Sequence, residues 1–154
     1  MSIPASIQSQ YLAALEMLRQ AVEKCPEGLW DERAYTNSCA QIAYHALFYL
    51  HLYLSPGLDG FTPWAGHRPG AERMQPEVPS YSKAEIAAYY EELRQSVGPR
   101  ITSLALEAPS GFPWLPFNRL ELHFYNLRHL HQHIGELSER LSAAKVEVGW
   151  VIKG

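Results

Sequence analysis

His129 and His133 stand four residues apart inside the run NRLELHFYNLRHLHQHIGELSERL, which spans Asn118 to Leu141. Imidazole is a common ligand for divalent transition metals. An i, i+4 pair on a helix sets both rings on one face about a turn apart, within reach of one ion. Two ligands do not complete a site, so a third has to come from elsewhere in the chain. His45 lies in the middle of another, strongly apolar helical segment. It can meet the pair if the face that carries them turns inward. Three neutral imidazoles would then hold a divalent ion and leave a position for water or substrate. The competing reading is a hydrogen-bonded histidine cluster at the surface or at a dimer seam. The remaining histidines, His51, His67, His123 and His131, read as ordinary core or surface residues. His131 is two residues from each member of the pair and faces away from both, while His123 lies about 240° round the helix from His129.

Four helices are needed to position these side chains. The first is expected over residues 5–25, where Ile7, Tyr11, Leu15, Leu18, Val22 and Cys25 recur every three or four positions before Pro26 and Gly28 end it. A connector with Trp30 leads to the second, residues 37–54, which carries His45 and is apolar on nearly every side, with His51 pointing roughly opposite His45. The third opens at Ser82 with Glu85 completing a capping box, and buries Ile86, Tyr89, Tyr90, Leu93 and Val97. Gly98-Pro99 is expected to kink or interrupt it, and Ile101, Leu104 and Leu106 suggest a brief resumption. The fourth is the histidine-bearing run, with Asn118 and Glu121 as a capping pair. It has two apolar faces. Leu120, Phe124, Leu127, Ile134 and Leu141 form one, and Leu122, Asn126, His129, His133 and Leu137 form the other. Periodicity does not say which of them faces inward.

Residues 55–80 hold five prolines and four glycines and predict little regular structure. So long a connection serves either as a lid or binding loop or as a variable surface excursion. Trp64 and His67 are its expected contact-makers. The tail after Leu141 reads as extended or frayed, with Trp150 as the residue that would dock it. Four helices without convincing strand pairs argue for an all-α four-helix bundle, a single domain over residues 1–154. The short connection between the first two helices favours antiparallel neighbours, and the long one after the second allows a crossover.

The bulk numbers agree with a globular domain: 154 residues, 47% hydrophobic, 19% charged. A net charge of −3 without a cluster of basic residues argues against a nucleic-acid partner. No apolar run approaches a membrane span, and residues 1–10 lack a signal pattern, so a cytoplasmic protein is expected. Cys25 and Cys39 are far apart in sequence and outside any CxxC, which favours free thiols over a structural zinc site.

Three segments resemble the DinB-like (DinB/YfiT) family of metalloenzymes: QIAYHALFYLHLYLS, YSKAEIAAYYEELRQ, and RLELHFYNLRHLHQHIGEL with its H-x-x-x-H-x-G-[QE] signature. The resemblance implies a four-helix bundle with up-down-down-up order, a three-histidine metal site mapping onto His45, His129 and His133, zinc or nickel as the ion, and a homodimer. Gly135 matches the signature glycine, for which a close approach is the expected reason. Glu136 stands where many members have glutamine and is expected to accept a hydrogen bond beside the site. The family's reactions include thiol-dependent transfers and metal-dependent hydrolysis of small-molecule substrates. Arg68, Arg73 and Lys83 are the candidates for holding a thiol cofactor's carboxylates. The alternative function is a non-catalytic dimeric binding or scaffold protein, with any metal structural.

Overall fold

Each long helix begins on a side-chain cap. In the computed structural model, which describes residues 2–154, α1 spans Ile3–Lys24. The Ser2 hydroxyl accepts from the Ala5 amide, and Pro4 occupies the first turn, where a missing N–H costs nothing. The expected stripe from Ile7 to Val22 is buried throughout. Pro26 starts a one-turn helix, α2 (Glu27–Trp30), where a plain connector is expected. Its Trp30 is buried and donates its indole N–H to the Tyr81 carbonyl at 2.9 Å. Helix α3 (Cys39–Tyr53) opens on a reciprocal Ser38–Gln41 capping box, and α4 (Lys83–Thr102) on a second, Ser82–Glu85. Helix α5 (Arg119–Ala143) is capped by Asn118, whose side-chain oxygen accepts from the Glu121 amide at 3.0 Å; the return bond from Glu121 is not formed.

Helix α4 runs through Pro99 without a break, contrary to expectation. Proline removes one bond of the ladder. Here Val97 and Ile101, both buried on either side of it, hold the last turn against the core.

The four long helices form a ring. Helix α1 packs on α4 and α5, and α3 packs on α5 and α4. Helices α1 and α3 barely touch across the diagonal, so the short connection between them does not make them close neighbours. Helix α2 and residues 31–38 carry the chain across instead. Among the described residues there is no strand, only an isolated bridge between Pro109 and Asn118. No helix among them is long and apolar enough to cross a membrane.

Packing decides the orientation of α5. Leu122, Asn126, His133 and Leu137 are buried, so the histidine-bearing face is inward. The second stripe is divided: Ile134 and Leu141 are buried, Leu120 and Leu127 are half-buried, and Phe124 is 60% exposed. The tail is extended and lies along α1. The Gly149 amide donates to Gln20 Oε1, Lys24 donates to the Glu147 carbonyl, and the Gly154 amide donates to Ser9 O. It docks through these bonds and through Val146, Val148 and Val151; Trp150 itself is 76% exposed. Cys25 and Cys39 are free thiols, as expected, but the fold buries them against one another. The Cys25 thiol and the Arg140 guanidinium hold the Cys39 thiol below its ordinary pKa.

Candidate metal centre

Helices α3 and α5 pack along one side of the ring and bring three imidazoles together. His45 comes from the middle of α3, and His129 and His133 from successive turns of α5. Helical side chains lean toward the N-terminus, so the His133 ring falls back toward His129. The Nε2 atom of His129 lies 3.2 Å from Nε2 of His45 and 3.2 Å from Nε2 of His133. Zn–N bonds of about 2.0–2.1 Å at tetrahedral angles would set neighbouring ligand nitrogens about 3.3 Å apart. Two of the three pairs therefore already have the spacing of ligands on one first-row ion, and all three ligand atoms lie within 4.8 Å of one another.

The outer nitrogens determine what the inner ones present. His45 Nδ1 lies 2.6 Å from the Glu72 carbonyl oxygen, which can only accept, so Nδ1 carries the proton and Nε2 offers a lone pair. His133 Nδ1 faces the Glu136 carboxylate at 3.1 Å, with the same consequence. Glu136 thus takes the accepting role expected of it. Burial, followed by the neighbouring imidazoles, pushes His45 and His129 down to about 4, so both are neutral near pH 7, as metal ligation requires. Among the described residues the cluster has three members. Three protein ligands leave one position of a tetrahedron for an exchangeable group. The residues present fit a divalent transition metal.

The long connection between α3 and α4 supplies one of those outer partners. Its only regular element is a 3₁₀ turn, Ala71–Arg73, set up by Gly70 at φ +93°. This turn carries the Glu72 carbonyl to His45. Aromatic contacts fasten the rest. Trp64 stacks on Tyr89 with centroids 4.8 Å apart, and its ring lies so close over Gly66 that a Cβ there would collide with it. Tyr81 stacks on Tyr44 at 4.2 Å, and its hydroxyl donates to Gly66 O while accepting from the Arg68 amide. His67 packs on Phe48 and pairs its Nδ1 with the Tyr44 hydroxyl at 2.6 Å. Trp64 and His67 are thus the anchors expected of them.

The chain matches the family model of the DinB superfamily over residues 10–137, which includes all three clustered histidines. It belongs to the DinB superfamily. No curated protein matches it. In this DinB-superfamily chain the remaining histidines follow their expected roles. His51 is buried between the Tyr89 hydroxyl and Arg100, His123 is buried against Tyr11, and His131 is exposed. Two of the three basic candidates are otherwise engaged: Arg68 binds the Pro79 and Ser80 carbonyls and Glu85, and Lys83 pairs with Glu27 and the Cys25 carbonyl. Arg73 is largely exposed beside Glu72. A Cβ at Gly135 would meet nothing within 4 Å, so the close approach expected at that glycine is not present. Sequence reasoning missed Glu72, because a backbone carbonyl in an irregular loop leaves no residue-type signal.

Proposed function

We propose that this DinB-superfamily protein is a metal-dependent enzyme of the hydrolase or thiol-transferase type, with His45, His129 and His133 binding a divalent ion, zinc or nickel, through Nε2. The observation that carries the reading is the convergence of three Nε2 atoms, two of whose lone pairs are aimed inward by acceptors behind them. When bound, the ion supplies Lewis acidity that brings a water or a low-molecular-weight thiol toward ionisation near neutral pH. The Glu72 carbonyl and the Glu136 carboxylate retain the Nδ1 protons of His45 and His133. The edge of Tyr49 packs against His129, with centroids 5.4 Å apart, and shields one side of the cluster. Glu136 is half-exposed and Arg73 largely exposed, placing a carboxylate and a guanidinium at the margin where a polar small molecule would enter. The same reading includes the up-down-down-up order that the long α3–α4 connection allows. It also includes a cytoplasmic homodimer, with its seam over the groove that Ile3, Ile7, Phe124 and Leu127 line between α1 and α5.

Elemental analysis of tag-free protein tests the metal. Near-stoichiometric zinc or nickel that disappears in His129→Ala is the expected result. No binding of either ion, even after reconstitution, refutes the reading. Cobalt substitution then tests the open position: visible absorption bands should shift when a small thiol is added, and unchanged bands would mean a closed, structural site.

A further inference from the structure

Helices α1 and α4 run antiparallel and form the side of the ring opposite the one that α3 and α5 build around the imidazoles. Their approach is uneven. Where the start of α1 meets the end of α4 they are close: a Cβ at Gly98 would come 2.8 Å from Gln8 Nε2. At the other end the first turns of α4 present only the methyl groups of Ala84 and Ala87, which leave the space between the helices unfilled. The result is a cleft of about 410 Å³. Leu18 and Val22 of α1, Leu47 of α3, and Ile86 and Tyr90 of α4 line it, and all five belong to the buried core. Ligand cavities are typically about 300–1,000 Å³ and mostly apolar, with a few placed polar groups.

Four charged side chains stand at the mouth of the cleft: Arg19, Glu23, Glu27 and Lys83. Arg19 is fully engaged within α1, between Glu16 at 2.7 Å and Glu23 at 2.5 Å. Lys83 is held differently. Its ammonium is fixed from behind by groups that carry no charge: it donates to the Cys25 carbonyl and lies over the Trp30 ring, 5.9 Å from the centroid. Among the described residues its one carboxylate partner is Glu27, at 2.8 Å. The lysine side chain is 23% exposed and the glutamate side chain 84%. Glu27 therefore reaches Lys83 from solvent, and an ion pair with so exposed an arm holds weakly. A ligand carboxylate can take the same place on Lys83 and carry an apolar chain into the cleft, which Glu27 does not.

We propose that the cleft between α1 and α4 binds a medium-chain fatty acid, whose carboxylate displaces Glu27 from Lys83 and whose chain lies against Leu18, Val22, Leu47, Ile86 and Tyr90. Seating the chain removes apolar surface of both ligand and cleft from water. The displaced Glu27 returns to solvent at little cost, since it is already almost fully hydrated. A neutral head group would leave the Lys83 ammonium without a counter-charge, and an ammonium head would be repelled by it. The cleft and the imidazoles lie on opposite sides of the ring, so the proposal goes beyond the metal reading and does not depend on it.

Isothermal titration calorimetry of the full chain with decanoate, decanol and decylammonium tests it. Decanoate should bind saturably, one molecule per chain, and decanol about tenfold or more weakly, the worth of a charge-assisted hydrogen bond. Decylammonium should not bind. Lys83→Met keeps the apolar stem and should weaken decanoate by about the same factor while leaving decanol unchanged. Ala87→Phe fills the cleft and should abolish binding of both. Glu27→Gln removes the competing carboxylate and should tighten decanoate. If either of the first two variants does not fold, Glu27→Gln decides, because so exposed a side chain takes no part in packing: tighter binding supports the proposal, and unchanged or weaker binding overturns it. No saturable binding to the wild type, or equal affinity for decanoate and decanol, also overturns it. A sedimenting dimer that Ala87→Phe dissociates and decanoate does not would assign the cleft to a second copy of the chain and overturn the fatty-acid site.

Discussion

Acid should destabilise this protein through a histidine that takes no part in the metal cluster, and His123→Gln should remove that contribution. His123 is 4% exposed on α5, with Nδ1 3.1 Å from the Tyr11 hydroxyl. Burial first, and the Arg119 guanidinium second, push it down to about 4 from an ordinary value of 6.5. The sign follows from proton counting. Between these two values the unfolded chain binds a proton that the folded chain refuses, so lowering the pH favours unfolding. The stabilisation is complete above about pH 6.5 and is lost as pH falls toward 4. Integrating from pH 8 to pH 5 gives a loss of about 2 kcal/mol from this one group. Glutamine can still accept from Tyr11 through Oε1 and cannot take up a proton. The assay is urea unfolding of both proteins with EDTA at pH 8 and pH 5, so that metal does not contribute. The stability difference between variant and wild type should move by about 2 kcal/mol in favour of glutamine across that interval. His51, also buried and pushed down to about 4, titrates in both proteins and cancels. Parallel pH profiles for the two proteins would refute the reasoning, because His123 would then ionise freely in the fold.

Trp64→Ala removes the half-buried ring that stacks on Tyr89 and fastens the α3–α4 connection. A loss of about 2–3 kcal/mol in urea unfolding is expected. Because the same loop carries the Glu72 carbonyl, zinc affinity should fall about tenfold; unaltered affinity would mean that the 3₁₀ turn holds its place without the tryptophan. Leu127→Glu places a charge in the groove of about 240 Å³ between α1 and α5, beside the exposed Ile3 and Phe124. Sedimentation should show a wild-type dimer and a monomeric variant. A variant that stays dimeric assigns the seam to another surface, and a monomeric wild type removes the dimer from the proposal.

Much of the fold was legible because the signals were local. Ser82 and Asn118, each three residues before a glutamate, cap the helices that follow. The stripe on α1 and the uniformly apolar α3 report their own burial. Errors arose where tertiary contacts overrode a local rule. Pro99 sits inside α4 because buried residues on both sides hold its last turn, and Glu27–Trp30 forms a helical turn in a stretch too short to show periodicity. Trp150 stays exposed because its neighbours and the backbone dock the tail along α1. Gly135 has open space around it, and nothing in the structure explains why a glycine stands there.

By itself, the sequence determined the candidate histidine cluster as a set of residue types. Two imidazoles four positions apart must share a helical face, and a third lay in the most buried segment. Helical geometry alone set aside His131 and His123. Only the tertiary structure decided that the histidine-bearing face of α5 points inward, since two apolar faces of similar length offer periodicity no basis for choice. It alone brought Cys25 against Cys39, set α1 and α3 on the diagonal, and placed the Glu72 carbonyl behind His45. Those facts depend on contacts between segments distant in the chain. Short-range spacing specifies which groups can act together, and long-range packing specifies which of them meet and which protons they carry when they do.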